Sequence, residues 1–293
     1  MTSRSIKFLN LCKISGLTIV ELMIALVVGF VATVAAYSVY SVQQRHFGNQ
    51  QLVLTAQQNL RGALMVIEHE LRMLGYDPED SGRFGLVDIR RYDVAETSKL
   101  KQDGQPVLFY TYDADEDGGL DQSGKGRNKE HPKFRISDIH HDGRICLSWD
   151  NGSGRRPLAE NIRAIAFAYA VDVDADGYCD RWAGSDHLIW AVDSDNDNLL
   201  DTHLDTNGDG IIDEKDDAND DHRIDRDDGC ALNPQVRLDR VKAVRVWVLA
   251  VTSRPLQGES DNRNLVVGDR IFAPADDGVR RFVLEMQVQC RNL

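Results

Sequence analysis

The sequence predicts an α+β fold, with one long N-terminal helix packed on an antiparallel β-sheet. Three observations lead there. An apolar run from Leu17 to Val42 continues into an amphipathic stretch, and no proline interrupts it before Tyr76. From Asp77 onward the pattern changes to short alternating strands and turns, with no further clear helix. An acidic segment over 172–228 then carries a repeat of its own. The expected division is a leader over 1–16 and a helix over 17–76, with 17–42 as its membrane-spanning part. A first part of the β-rich domain over 77–171 follows, then tandem repeats over 172–228 and C-terminal strands over 229–293.

Glu21 is the only charged residue between Leu17 and Val42, and three cations (Arg4, Lys7 and Lys13) precede the run. At about 1.5 Å per residue, a helix of that length exceeds the roughly 30 Å of a bilayer core. The run is longer than the apolar part of a removable secretory signal, and no small-residue cleavage site follows it promptly. A carboxylate near one end of a membrane span is costly unless paired, which makes Glu21 a functional candidate. Beyond the span, Val53, Ala56, Leu60, Ala63, Ile67, Leu71 and Leu74 recur at helical spacing and form one apolar stripe. Gly75 followed by Pro78 is a stop signal. Strands are expected over 107–112, 144–149, 162–171, 241–251 and 281–290.

The net charge of −13 is local in origin. Residues 172–228 hold 19 Asp, one Glu and four Lys or Arg, a net of −16, so the remainder carries about +3. Such a distribution favours a cation site and disfavours nucleic acid as a partner. Of the five cysteines, Cys12 falls in the leader. Cys146, Cys179, Cys230 and Cys290 remain, and four cysteines allow three disulfide pairings. CxxC, HExxH, Gly-x-Ser-x-Gly and a complete P-loop are all missing, so no enzyme class is indicated.

Five aspartate ladders carry the clearest chemistry. Asp113, Asp115, Asp117 and Asp121 form the first, and Asp172, Asp174, Asp176 and Asp180 the second. A tandem of three follows: Asp193, Asp195, Asp197 and Asp201; Asp205, Asn207, Asp209 and Asp213; and Asp217, Asn219, Asp221 and Asp225. The tandem copies start 12 residues apart. Calcium takes about 6–8 hard oxygen ligands, and a tight loop offers them from positions 1, 3, 5 and 9 plus a backbone carbonyl at 7. Position 6 must turn sharply, and it holds Gly118, Gly177, Asn198, Gly210 and His222. Position 8 is apolar throughout: Leu120, Cys179, Leu200, Ile212 and Ile224. Only the last two loops place an acid at position 12, Asp216 and Asp228. The expected cofactor is therefore calcium, several ions per chain, with the segment ordering on metal binding.

The hexapeptide Gly16-Leu17-Thr18-Ile19-Val20-Glu21, behind its basic leader, resembles the class III signal of type IV pilins and of type II secretion pseudopilins. The resemblance implies cleavage by a prepilin peptidase after Gly16 and methylation of the new N-terminus at Leu17, where the family usually has Phe. It also implies that Glu21 pairs with the N-terminal amine of a neighbouring subunit during assembly. The helix end Arg72-Met73-Leu74-Gly75-Tyr76 is similar to that of PilW-like minor pilins, which are related to J-type pseudopilins. The 159–169 strand and the Arg280–Val283 strand ending at Cys290-Arg291-Asn292-Leu293 are similar to that family too. The tandem ladders resemble thrombospondin type 3 repeats.

The function so implied is a minor pilin that takes part in assembly or priming of a type IV pilus. Its partners would be the prepilin peptidase, other major and minor pilins and the inner membrane. It would span that membrane once, with its bulk in the periplasm, and later reach the pilus or cell surface. A J-type pseudopilin and a calcium-dependent adhesive subunit at a pilus tip are the alternatives.

Overall fold

The computed structural model describes residues 18–92, 105–120, 130–137, 145–151, 154–182 and 184–293. Gly16, Leu17, Asp121 and the 1–16 leader lie outside the described residues. The chain divides into two compact units, 1–50 and 51–293. Helix α1 (Ile19–Met73) begins in the first and ends in the second.

Within the first unit the large apolar side chains of α1 are exposed, from Ile19 and Val20 through Phe30 to Tyr40. Within the second, Ala56, Leu60, Ala63, Leu64, Ile67 and Leu71 are buried, which is the stripe the spacing predicts. One helix of 55 residues thus changes solvent preference along its length. Its apolar part is long and apolar enough to cross a membrane.

The helix stops at Gly75, which takes φ +75° and donates its N–H to Thr111 O at 3.0 Å. A Cβ there would lie 2.7 Å from Leu293 Cδ2 and 2.8 Å from the Asn292 carbonyl oxygen. Asn292 Nδ2 in turn donates to Arg72 O at 3.1 Å. The helix end and the chain's last residues are therefore one contact. Gly75→Ala is expected to lower the stability of the 51–293 unit by about 1–3 kcal/mol from the backbone alone. Urea unfolding of the full chain in detergent measures it, and an unshifted midpoint would remove this contact from the fold's supports.

The strands in chain order are β1 (Leu86–Asp88), β2 (Arg91–Tyr92), β3 (Gln105–Pro106), β4 (Leu108–Tyr110) and β5 (Lys133–Ser137). Next come β6 (Cys146–Asp150), β7 (Arg155–Glu160), β8 (Ile162–Val171), β9 (Trp190–Val192) and β10 (Leu199–His203). The last are β11 (Ala231–Arg237), β12 (Val241–Val251), β13 (Leu265–Val267), β14 (Arg270–Phe272) and β15 (Arg281–Gln289). A five-stranded antiparallel sheet has the order β1-β4-β5-β6-β7, and a six-stranded one β11-β10-β9-β8-β12-β15. The architecture is α+β, as expected. The expected strands over 162–171 and 241–251 appear as β8 and β12 with the same limits.

One core joins the 60–74 stretch of the helix, the five-stranded sheet and one face of the six-stranded sheet. Leu60, Ile67, Leu71, Tyr110, Phe134, Leu147, Phe167 and Val246 are among its members. The opposite face of the six-stranded sheet is buried as well. Ala164, Ala166, Ala168 and Ala170 line it along β8, and small side chains leave room for a second layer. That layer includes Leu204, Ile212 and Ile224 from the acidic segment and Val267 from the β13–β14 hairpin. Segment 172–228 is thus more than an appendage: β9 and β10 lie within it and are strands of the main sheet.

Candidate functional site

The five aspartate loops share one backbone. Position 6 is left-handed in each, at Gly118 (φ +68°), Gly177 (+89°), Asn198 (+67°), Gly210 (+84°) and His222 (+69°). Position 4 is left-handed too, at Glu116 (+63°), Ala175 (+63°), Asn196 (+65°), Gly208 (+74°) and Asp220 (+59°). Four of those five are not glycine, so the turn is held by bonding rather than by residue preference.

The first carboxylate supplies that bonding. Asp113, Asp172, Asp193, Asp205 and Asp217 are all buried. One oxygen of each accepts the position-6 N–H at 2.8–3.0 Å. The other accepts an N–H from position 4 or 5. The carboxylate at position 5 accepts the position-7 N–H in every loop: Asp117, Asp176, Asp197, Asp209 and Asp221. Each loop therefore curls around its own acids at positions 1 and 5. In three of them the acids stand within 4.8 Å of one another: Asp113, Asp115 and Glu130; Asp172, Asp174 and Asp176; and Asp193, Asp195 and Asp197. The fourth and fifth loops offer an amide at position 3, Asn207 and Asn219, whose side-chain oxygens accept the position-5 N–H.

The closing acid divides the loops into two kinds. In the second and third, the position-9 acid accepts the position-2 N–H: Val173 N to Asp180 at 2.8 Å and Ser194 N to Asp201 at 3.1 Å. In the fourth and fifth, the position-12 acid does so: Thr206 N to Asp216 and Ala218 N to Asp228, both at 2.8 Å. There the position-9 acids, Asp213 and Asp225, cap short 3-10 turns over Glu214–Asp216 and Arg226–Asp228. In the first loop, Ala114 N donates to Glu130 at 2.8 Å, so a fully buried Glu130 fills the closing role. Sequence spacing did not single out Glu130, because it lies outside the 12-residue register of the ladder. Three carbon–carbon anchors seat the tandem: Leu200, Ile212 and Ile224 at position 8 are buried.

Electrostatics follow from crowding. Burial pushes the Asp193 carboxyl above its usual range, and the Asp216 carboxyl likewise. Asp195 is raised by burial and then by the charges of Asp201 and Asp197. The loops hold negative charge that only a cation relieves. Buried first acids and clustered carboxylate oxygens could hold a hard divalent ion, and all-oxygen ligation is compatible with calcium.

The other expected residues fall elsewhere. Glu21 sits in the first turn of α1, where Thr18 and Glu21 form a reciprocal cap. Thr18 N donates to Glu21 Oε2 and Glu21 N to Thr18 Oγ1, each at 3.2 Å. Cys146, Cys179, Cys230 and Cys290 are free thiols in this structure. Cys146 Sγ donates to Ser137 O at 3.2 Å and Cys230 Sγ to Asp225 O at 2.6 Å. Burial pushes the Cys230 and Cys290 thiols up to about 12, away from thiolate chemistry.

No protein-family model and no curated protein matches the chain. Among solved structures, a type IV-like pilin from Thermus thermophilus matches at 14% identity and a TM-score of 0.39, covering 81% of this chain and 97% of its own.

Proposed function

We propose that the chain is a PilW-like minor pilin, anchored in the inner membrane by α1 and stabilised outside it by calcium. The observation that carries this reading is the single helix with two solvents. Its apolar side chains from Ile19 to Tyr40 are exposed, whereas Leu60, Ile67 and Leu71 are core. Exposed apolar surface on that scale has to meet lipid or other apolar helices. The Gly16–Glu21 signal supplies the rest: removal of the leader by a prepilin peptidase leaves Leu17 as the N-terminus. Neighbouring pilins then pack along the 17–42 stretch, with Glu21 meeting a neighbour's N-terminal amine.

Calcium enters the same reading through the loops. The ligand set is Asp113, Asp115, Asp117 and Glu130 in the first loop and Asp172, Asp174, Asp176 and Asp180 in the second. The tandem adds its Asp and Asn side chains, closed by Asp216 and Asp228 in its last two copies. The fourth and fifth loops place Ile212 and Ile224 in the second layer on the six-stranded sheet, so ion binding would stiffen the exported domain after it leaves the low-calcium cytoplasm.

The deciding experiment is processing of Gly16→Ala. The variant is expected to keep its leader, about 16 residues larger than wild type on a gel of membranes from cells with the peptidase. A mature-sized product would sink the cleavage assignment.

A further inference from the structure

The third loop already faces a cation, and that cation is a side chain. Arg226 opens the 3-10 turn of the fifth loop, next to its capping Asp225. Its Nη1 lies 3.2 Å from Asp195 Oδ2 and its Nη2 2.9 Å from Asp201 Oδ2. Those acids are positions 3 and 9 of the third loop. The Asp201 side chain is fully buried. Its other oxygen is taken by Ser194 N at 3.1 Å and Thr202 Oγ1 at 2.7 Å. The oxygen left to face an ion, Oδ2, is buried without a hydrogen bond and meets the guanidinium as an ion pair only. The second loop, closed in the same way by Asp180, differs. Among the described residues no salt bridge reaches Asp172, Asp174, Asp176 or Asp180.

Resting on the calcium reading above but withdrawing the third loop from its ligand set, we infer that Arg226 is the resident cation of that loop, bridging Asp195 and Asp201 in place of a calcium ion. A guanidinium is planar, stays charged at every physiological pH and can reach two carboxylates at once. A divalent ion drawn to the same two acids would be repelled by it, so the two exclude each other. The arrangement also couples loops. Arg226 lies between Asp225 and Asp228, so an ion that orders the fifth loop fixes the arginine over the third. On the calcium reading the fifth loop takes metal, whereas the third is neutralised from inside the chain.

Calcium counting by equilibrium dialysis on the full chain in detergent, with radioactive calcium as the probe, tests this. Asp195→Ala, which removes a ligand atom altogether, is expected to bind as many ions as wild type, because its loop holds none. Arg226→Gln is expected to bind one more ion than wild type. A loss of one ion in Asp195→Ala, or an unchanged count in Arg226→Gln, overturns the inference while leaving the calcium reading intact. A wild-type count of zero overturns both. The Asp195→Ala variant keeps the test valid should loss of the arginine prevent folding, since it retains Arg226 and the Asp201 contact.

Discussion

Removing calcium from the full-length protein is expected to lower its thermal midpoint by on the order of 10 °C or more. Calcium should restore it and magnesium at equal concentration should not. The magnitude follows from linkage. A site filled at about 100 times its dissociation constant stabilises the folded state by roughly 2.7 kcal/mol, and each kcal/mol moves the midpoint of a domain this size by about 2–4 °C. Several sites add to that. The loss has a structural address. Leu204, Ile212 and Ile224 are the inner ends of the loops and cover the alanine face of β8. If the loops open when their acids repel, that face is uncovered. Differential scanning calorimetry with chelator, then with each ion, measures the effect. A midpoint indifferent to calcium would remove the metal from the fold's supports.

The same experiment has a pH arm. Asp193, Asp195 and Asp216 are raised above the usual carboxylate range when no ion is bound. At these positions the folded chain holds protons that the unfolded chain has already released. Their contribution to metal-free stability is therefore lost as pH rises from the ordinary carboxylate range through the raised values. Calcium needs the ionised forms. Its stabilising effect is expected to shrink as pH falls back through that range and to be full at neutrality.

Much of this was legible because the strongest signals are local. The stripe from Ala56 to Leu71 needs only helical spacing, and alternation along 162–171 and 241–251 needs only a pleat. The Asp-x-Asp-x-Asp ladder states its own register, including the sharp turn at position 6. What stayed hidden depends on distance in the chain. Strand β5 alternates Phe134 and Ile136 with charged Lys133 and Arg135 over only five residues, too short to stand out. Strands β9 and β10 are hidden inside the acidic segment, where charge masks Trp190-Ala191-Val192. The left-handed turn at position 4 falls on Glu116, Ala175, Asn196, Gly208 and Asp220, which share no residue preference. Glu130 and Arg226 act on loops to which no fixed spacing links them.

Glu21 carries the second large effect, and the structure sharpens how to test it. Its side chain caps α1 through Thr18, so a truncation to Ala would remove two things at once: a helix cap and a charge. Loss of a cap costs about 0.5–2 kcal/mol. Breaking an ion pair in apolar surroundings, and leaving a neighbour's amine without its partner, costs roughly 3–5 kcal/mol. Glu21→Gln separates them, because Gln serves as well as Glu in a capping box. The Gln variant is expected to be processed normally and to remain in the membrane. Its incorporation into filaments should fall by at least about 100-fold, since every 1.4 kcal/mol is a factor of ten. Immunoblots of sheared filaments against the membrane fraction provide the measurement. Should Glu21→Gln assemble like wild type while Glu21→Ala does not, the carboxylate's work is confined to capping its own helix. The register between subunits would then have to come from the apolar packing of the 17–42 stretch alone.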